Sequence, residues 1–276
     1  MAQPDRYAVI GYPIKHSKSP YIHNAFARQT EQQLHYVALE APPGDFAASL
    51  AQFRNEGLQG CNITVPFKED AWQIADERSP MAKRAGAVNT LLFRDDGSVY
   101  GTTTDGSGLM RDLQHNLQLT LSNKRILILG AGGAVRGVLE PLLAAAPAEL
   151  LIANRTASKA SALANNFAEL GPVSGGGFAA VNAPFDIIIN GTAASLQGEM
   201  PDLSAGCLSA GGACYDMMYA AESTTFMRWA QTQGAGLIAD GLGMLVEQAA
   251  DAFQVWRGIR PETSTVLTKL RHEMTP

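Results

Sequence analysis

The chain has 276 residues, of which 46% are hydrophobic and 17% are charged, and its formal net charge is −5. This length exceeds a typical single domain, so we expect two domains with a sizeable combined core. The acidic balance argues against nucleic acid or an acidic membrane surface as a partner, and no apolar run reaches the roughly 18 residues of a transmembrane helix. Three cysteines without a CxxC pair, and no apolar signal region at the start, favour a reduced cytoplasmic protein.

The first predicted strand, Tyr7 to Ile10, leads into a polar loop and then a helix. Ser19-Pro20 is typical of a helix start, with serine as the cap and proline in the first turn. Together Ser17 and Ser19 place two hydroxyls near the positive helix end, which suits a carboxylate as well as it suits a simple cap. His16 and His23 have no partner at metal-ligand spacing, so we expect a loop and a helix-surface position for them.

A strand over residues 34–40 and a helix over 45–56 precede a third strand that begins at Gly60. Pro66 ends this strand and starts the next helix. Asn62, Thr64 and Lys68 therefore lie near the carboxyl end of a strand, where α/β sheets bind their ligands. A lysine at a helix start opposes the helix dipole, so both a functional role and a solvated surface position stay open for Lys68.

Residues 87–94 and 99–103 flank Asp95-Asp96-Gly97, which predicts a β-hairpin with glycine in its turn. Thr104-Asp105-Gly106 then leads into a helix. Two interpretations of Asp105 are open, because an aspartate there can cap the helix or can hold the Lys68 ammonium.

A strand over residues 125–129 is followed by the turn Gly130-Ala131-Gly132-Gly133-Ala134 and an apolar helix. Glycine allows the sharp bend and the close approach of a diphosphate, and the helix start offers free N–H groups to the anion. The sixth position is Val135, so a strict GxGxxG is absent. The flanking strand and helix still favour a nucleotide site over a plain tight turn.

The next strand, residues 149–153, indicates which dinucleotide is bound. NAD sites usually place Asp or Glu at the end of this strand, whereas here it ends in Asn154-Arg155-Thr156, with Lys159 close behind. The guanidinium of Arg155 suits a phosphate, so NADP(H) is preferred over NAD(H). The alternative is a solvated basic helix start, which the helix dipole disfavours unless an anion is present.

Together these motifs resemble those of the shikimate dehydrogenase family, in the same order along nearly the whole chain. The matching blocks are Ser17-Lys18-Ser19-Pro20, Asn62-Ile63-Thr64-Val65-Pro66-Phe67-Lys68, Ala87-Val88-Asn89-Thr90-Leu91, Thr104-Asp105-Gly106, the Gly130 turn, Asn154-Arg155-Thr156, Tyr215-Asp216-Met217-Met218-Tyr219 and residues 240–250.

The resemblance implies reversible NADPH-dependent reduction of 3-dehydroshikimate to shikimate, in the pathway to chorismate and the aromatic amino acids. Lys68 and Asp105 match the catalytic pair of the family, and no metal is required. The positions that match substrate contacts are Ser17, Ser19, Thr64, Asn89, Tyr219 and Gln248. The positions that match NADP(H) contacts are Gly130, Ala131, Gly132, Gly133, Ala134, Asn154, Arg155, Thr156, Lys159, Met217 and Gly241.

The resemblance also implies an α/β fold of two domains: an N-terminal α/β substrate domain completed by C-terminal helices, and a Rossmann-type doubly wound NADP-binding domain. We expect residues 1–104 and 241–276 to form the first and residues 105–240 the second. Apolar helical patterns over residues 243–255 and after Pro261 agree with this, because they leave the strand-helix alternation that precedes them. We expect a monomer or a homodimer.

Three positions depart from the family pattern: Val135 where a small residue is common, Thr104 where asparagine is frequent, and Gly191-Thr192-Ala193-Ala194 where Ala-Thr-Ser is typical. These departures concern cofactor contacts more than the reaction. Two other functions stay open, a quinate/shikimate dehydrogenase of wider specificity and a non-catalytic NADP(H)-sensing protein. The second has no need of Lys68 together with Asp105, so an enzyme is favoured.

Overall fold

The structure of the chain, a computed structural model, describes residues 3–204 and 206–274. The chain divides into two compact units, one of residues up to Gly108 with Leu245–Leu267, the other of Leu109–Met244 with residues from Thr268 onward. The expected division assigned residues 105–108 to the second domain and all of residues 241–276 to the first, so the observed units differ from it at residues 105–108, at residues 241–244 and in the last segment. Arg271 ties the last segment to the second unit through a bidentate ion pair, in which its Nη1 and Nη2 each lie 2.7 Å from an oxygen of the Asp240 carboxylate.

The first unit is built on a mixed sheet with the strand order β2-β1-β3-β5-β6-β4. Its elements in chain order are β1 (Asp5–Gly11), α1 (Ser19–Gln29), β2 (Leu34–Glu40), α2 (Phe46–Asn55), β3 (Leu58–Ile63), α3 (Lys68–Ile74), β4 (Glu77–Arg78), α4 (Pro80–Ala85), β5 (Thr90–Phe93), β6 (Val99–Thr102) and α5 (Asp105–Arg111), which runs into the second unit. Strands β1, β2 and β3 are parallel, whereas β5 pairs antiparallel with both β3 and β6. The predicted hairpin is confirmed.

The second unit is a parallel sheet with the order β12-β11-β10-β7-β8-β9. Its further elements are β7 (Arg125–Leu129), α6 (Gly133–Ala144), β8 (Glu149–Ala153), α7 (Ala157–Asn165), β9 (Val173–Gly176), β10 (Phe185–Asn190), β11 (Leu208–Asp216), α8 (Thr225–Thr232) and β12 (Leu237–Asp240). The order is that of a doubly wound dinucleotide-binding sheet, in which β7 and β10 flank the point where the strand order reverses. The Rossmann-type prediction is confirmed.

Apolar side chains on both faces of this sheet explain why its strands read as continuous hydrophobic runs. In β7, Ile126 and Ile128 join one buried cluster and Leu127 and Leu129 join another, and all four side chains are fully buried. Apolar layers therefore cover both faces of the sheet. In sheets of this kind ligands bind at the edge formed by the carboxyl ends of the strands.

Two helices follow the second sheet, α9 (Leu242–Arg257) and α10 (Ser264–Met274). The predicted start of the last helix at Pro261 is wrong by three residues. The helix begins at Ser264 because the Glu262 carboxylate accepts hydrogen bonds from the backbone N–H groups of Ser264 (3.2 Å) and Thr265 (3.4 Å). Among the described residues, none of the helices has both the length and the apolar character that crossing a membrane requires.

His23 differs from the sequence prediction, which placed it on a helix surface. Its side chain is fully buried in α1 and stacks on Tyr36 with ring centroids 4.1 Å apart. Among the described residues neither ring nitrogen has a partner at hydrogen-bond geometry, and the weaker influence of the nearby Asn62 side chain is to raise the pKa of the ring. Burial therefore lowers the pKa of His23 to about 3, so the ring is neutral at physiological pH. His16 lies in an exposed turn, as predicted.

Candidate active site

An ion pair between Lys68 and Asp105 forms the centre of the polar cluster in the first unit. The Lys68 Nζ lies 2.6 Å from Asp105 Oδ2, and the two side chains are only 13% and 8% exposed. Lys68 is the first residue of α3 and Asp105 the first residue of α5. The starts of α3 and α5, which the hairpin separates in sequence, therefore bring the Lys68 ammonium and the Asp105 carboxylate together at a largely buried position.

The Asn89 side chain fixes the second carboxylate oxygen of Asp105. Its Nδ2 donates to Asp105 Oδ1 at 2.8 Å. Its Oδ1 accepts from the backbone N–H of Thr104 at 2.9 Å and from the Thr90 hydroxyl at 2.8 Å. Because these two donors require an oxygen acceptor, they fix the orientation of the Asn89 amide so that its nitrogen faces Asp105. The Asp105 carboxylate is thus held on one side by a cation and on the other by an oriented amide.

Gln248 joins this cluster from α9, because its Oε1 accepts from Asn89 Nδ2 and from the Thr104 hydroxyl, both at 3.3 Å. The helices α5 and α9 approach closely at Gly108, where a Cβ would lie 2.6–2.9 Å from atoms of Gln248. A side chain at position 108 would separate the two helices. The threonine at position 104, an expected departure from the family pattern, supplies a hydroxyl to this network.

Asn62 is a further member of the cluster, which the sequence placed near the ligand-binding strand end but which is not among the positions that match substrate contacts. It is buried, accepts from the Tyr36 hydroxyl at 2.8 Å and donates to the Thr90 hydroxyl at 3.1 Å. Its position at the end of β3, just before Thr64, was the available sequence signal. Tyr36, by contrast, comes from a different strand with no motif of its own.

Ser17, Ser19 and Thr64 lie at the same edge of the first sheet. Strands β1 and β3 are neighbouring and parallel, so the segments that follow them start side by side, and the Tyr12 N–H donates to the Val65 carbonyl at 3.0 Å. Ser19 is not the cap of α1, since Lys18 occupies the cap position and no side chain caps the helix. Instead the Ser17 Oγ accepts from the Ser19 N–H at 3.3 Å.

The glycine turn after β7 has the geometry of an anion cradle. Gly130 has a φ of +106°, and a Cβ on Gly132 would meet no atom within 4 Å. Helix α6 follows, 12 residues long, and no side chain caps its start. Its first N–H groups are therefore available to an anion, and the residues present fit a dinucleotide diphosphate.

Basic residues follow β8, the strand beside β7. Arg155, Thr156 and Lys159 are exposed, and Asn154 Nδ2 donates to the Thr156 carbonyl at 3.0 Å. No side chain caps α7, which starts at Ala157. Within residues 3–204 and 206–274 neither Arg155 nor Lys159 forms a salt bridge. This leaves two cations for a phosphate group.

Met217 and Gly241 lie together at the ends of β11 and β12. A Cβ on Gly241 would overlap the Met217 carbonyl, and the Gly241 N–H donates to the Met218 carbonyl at 3.0 Å. Tyr219 belongs to the same segment after β11, and its side chain is partly exposed. This segment is part of the second unit, whereas the other predicted substrate contacts belong to the first.

Two of the expected departures from the family pattern compensate each other. A Cβ on Gly191 would overlap the γ-methyl of Val135, which is fully buried in the first turn of α6. The larger residue at 135 thus occupies the space that the smaller residue at 191 leaves. The loops after β7 and β10 keep their close approach, with Gly130 next to Thr192.

In the part of the chain that the structure describes, no group of three or more His, Cys, Asp or Glu side chains could hold a metal ion.

Family profiles match three regions: a shikimate dehydrogenase substrate binding domain over residues 9–91, a shikimate/quinate 5-dehydrogenase over 112–197, and a shikimate 5'-dehydrogenase C-terminal domain over 241–271. The NADP(+) shikimate dehydrogenase of Methylococcus capsulatus is 57% identical over 274 residues, which are 99% of this chain and 98% of the relative. The chain belongs to the shikimate dehydrogenase family.

Solved structures agree with this assignment. The Ael1 enzyme from Pseudomonas putida is 48% identical with a TM-score of 0.87, covering 96% of this chain and 98% of that one. The shikimate 5-dehydrogenase of Thermus thermophilus, in complex with NADP(H) and shikimate, is 31% identical with a TM-score of 0.85, covering 98% and 99%. The predicted family and two-domain α/β fold are confirmed.

Proposed function

We propose that this protein is an NADP-dependent oxidoreductase that reversibly reduces 3-dehydroshikimate to shikimate, on the route to chorismate and the aromatic amino acids. Membership in a family of NADP(+) shikimate dehydrogenases supports the reaction and the cofactor. The observation that carries the proposal is the buried contact between Lys68 and Asp105, oriented by Asn89. A protein that only sensed NADP(H) would have no use for this pair.

Lys68 is the proposed proton donor. NADPH, when bound, supplies the hydride, and the ketone oxygen must then gain a proton. Both oxygens of Asp105 already accept a hydrogen bond, one from Lys68 and one from Asn89, which supports a positioning role for Asp105. The ammonium of Lys68 has three N–H donors, so it can keep its bond to Asp105 and donate to substrate as well.

Ser17 and Ser19 are the proposed ligands of the substrate carboxylate. Within the described residues the Ser19 hydroxyl caps no helix, so it is available to a ligand. The other proposed substrate contacts are Thr64, Asn89, Tyr219 and Gln248. Asn89 and Gln248 share a hydrogen bond at 3.3 Å, which makes a joint role in holding the substrate hydroxyls chemically reasonable.

The proposed diphosphate site is the turn Gly130, Ala131, Gly132, Gly133 and Ala134 at the start of α6. Asn154, Arg155, Thr156 and Lys159 are the proposed contacts of the 2′-phosphate. Met217 and Gly241 are assigned to the nicotinamide, which their direct contact with each other supports.

The first unit is the proposed substrate domain and the second the proposed NADP domain. We further propose that the protein works in the cytoplasm as a monomer or a homodimer. Its three cysteines, all buried and free, support a reducing compartment.

Steady-state assays with shikimate and quinate, each against NADP+ and NAD+, test the proposed reaction. We expect kcat/KM to be highest for shikimate with NADP+, because Arg155 replaces the acid that an NAD site uses. A preference for quinate or for NAD+ would favour the paralogue of wider specificity. Binding of NADP(H) without turnover of either substrate would contradict an enzyme altogether.

A further inference from the structure

A fully buried carboxylate lies at the carboxyl end of β11, just before Met217. Asp216 Oδ1 accepts from the Met218 N–H at 3.0 Å and from Asn190 Nδ2 at 2.9 Å, and Oδ2 accepts from the Thr224 hydroxyl at 2.6 Å. All of these donors are neutral. In the described part of the chain, no lysine, arginine or histidine forms an ion pair with Asp216.

A buried charge without a counter-charge is unfavourable, and proteins usually pair it. Burial raises the pKa of Asp216 above its ordinary value, and the hydrogen bonds to Thr224, Met218, Ser195 and Asn190 offset part of this rise. Hydrogen-bond donors aimed at both oxygens stabilise the anion locally but do not cancel its field. When Asp216 is ionised, no ion pair among the described residues offsets its charge at this edge of the second sheet.

Asp216 and Asn190 also hold the backbone of the loops that follow β10 and β11. Asn190, which donates to Asp216, accepts from the Thr192 N–H at 3.1 Å, and its own backbone carbonyl accepts from the Met217 N–H at 2.8 Å. Asp216 is thus linked directly to the loop after β10 and to the residue assigned to the nicotinamide. An asparagine could keep the contacts with Met218 and Asn190 through its amide oxygen and would reverse the contact with Thr224, so these hydrogen bonds do not by themselves require a charge.

We propose that the Asp216 carboxylate is a fixed negative charge that favours the oxidised, positively charged nicotinamide over the reduced, neutral ring. The proposal rests on the proposed function, since it takes Met217 to contact the nicotinamide. At an effective dielectric constant of about 20, opposite charges within about 10 Å change a binding constant by roughly tenfold. Solvent screening lowers this, so the preference is about three- to tenfold.

Replacement of Asp216 by asparagine isolates the charge. The amide oxygen can still accept from Met218 and Asn190, and the amide nitrogen can donate to the Thr224 oxygen. Calorimetric titration of NADP+ and NADPH, in the absence of substrate, should show the Kd for NADP+ rising about three- to tenfold. The Kd for NADPH should stay within about twofold, because the reduced ring is neutral.

Asp186→Asn is the matched control, because it removes the same charge from the opposite end of β10. Its carboxylate accepts from the Arg125 N–H at 2.9 Å, an interaction that asparagine preserves. The ratio of the two Kd values should not change in this variant. An unchanged ratio in Asp216→Asn, or an equal loss for both cofactors, would overturn the proposal while leaving the proposed function intact.

Proton exchange by the unmodified protein provides a second measurement that needs no variant. A positive ring near Asp216 stabilises its ionised form, so at a pH where Asp216 is partly protonated NADP+ binding should release more protons than NADPH binding. Calorimetry in buffers of different ionisation enthalpy measures this difference. Equal proton release for the two cofactors contradicts the charge proposal, whereas failure of the protein to bind either cofactor contradicts the proposed function itself.

Discussion

Two buried aspartates, one in each unit, occupy similar places and have different surroundings. Asp105 and Asp216 both lie where a strand or hairpin ends, and they are 6% and 0% exposed. Asp105 faces the Lys68 ammonium at 2.6 Å, whereas the hydrogen-bond donors that Asp216 meets in the described part of the chain are amides and a hydroxyl. The first charge has a counter-ion among the described residues, and its proposed role is to hold the proposed proton donor. The second has no ion-pair partner among these residues, and we propose that the oxidised nicotinamide balances it.

The largest expected effect comes from removing the cation beside Asp105. Lys68→Met keeps an unbranched apolar chain, and we expect kcat to fall by roughly 10²–10⁴, the usual range for a positioned acid-base group. KM should move far less, because a proton donor acts mainly in the transition state. Steady-state kinetics with shikimate and NADP+ check this. A rate within a few-fold of the unmodified protein would show that the pair is only structural.

The second prediction concerns the phosphate site. Arg155→Ala should weaken NADPH binding by about 1.5–3 kcal/mol, through lost charged hydrogen bonds, and leave NADH binding almost unchanged. Fluorescence titration with both cofactors measures this. Lys269→Ala removes an exposed cation elsewhere in the second unit and should affect neither cofactor. Equal losses for NADPH and NADH in Arg155→Ala would refute the assignment.

Packing beside the Asp216 cluster gives a third prediction. Gly191→Ala should destabilise the protein by about 1–3 kcal/mol, because the new methyl group would overlap Val135. Adding Val135→Ala should restore most of this loss, which thermal unfolding of both single variants and the double variant measures. Gly177→Ala, where the added methyl would meet only Ala157 at 3.6 Å, serves as the neutral control. If the losses of unfolding free energy in the two single variants simply added up in the double variant, the proposed overlap between residues 191 and 135 would be contradicted.

The two units should also differ in how pH affects their stability. His23 has a pKa lowered to about 3 by burial, so its stabilising effect is present above the unfolded value and is lost as pH falls from about 6.5 toward 3. The loss is at most about 1.4 kcal/mol per pH unit. The raised pKa of Asp216 acts in the opposite direction, since its contribution is lost as pH rises above the unfolded value.

Urea unfolding of His23→Phe across pH 4–7 measures the first effect. Phenylalanine keeps the stacking on Tyr36, and no hydrogen bond of a ring nitrogen is lost. The free energy of unfolding should therefore depend less on pH in this variant than in the unmodified protein. The same dependence in both would show that His23 is not the group that titrates.

The smallest expected effect belongs to Ser19. Ser19→Ala should raise KM for shikimate by roughly three- to tenfold, the value of one ordinary hydrogen bond that water can partly replace, with little change in stability. Ser79→Ala is the matched control, because its Oγ accepts from the Ala82 N–H at 3.1 Å and caps α4. That variant should lose about 1 kcal/mol of stability and keep its KM. An unchanged KM for Ser19→Ala would contradict the carboxylate site.

Motifs with a local physical cause were readable from the sequence. The Gly130 turn, the basic end of β8 and the Asp95-Asp96-Gly97 hairpin are each specified by neighbours in the chain, because turn geometry and helix starts depend on a few consecutive residues. The order of these motifs was enough to indicate the family. His23 shows the limit, since its place on the buried side of α1 depends on aromatic rings from β2 and α9.

The sequence by itself determined the fold class, the family and the residue types of the site. Only the tertiary structure decided which of them meet: Asn89 with Asp105 and Gln248, Val135 with Gly191, and the neutral hydrogen-bond donors with Asp216. The reason is that hydrogen bonds, overlaps and burial are formed between segments far apart in the chain, and a local pattern carries no information about the distance between them.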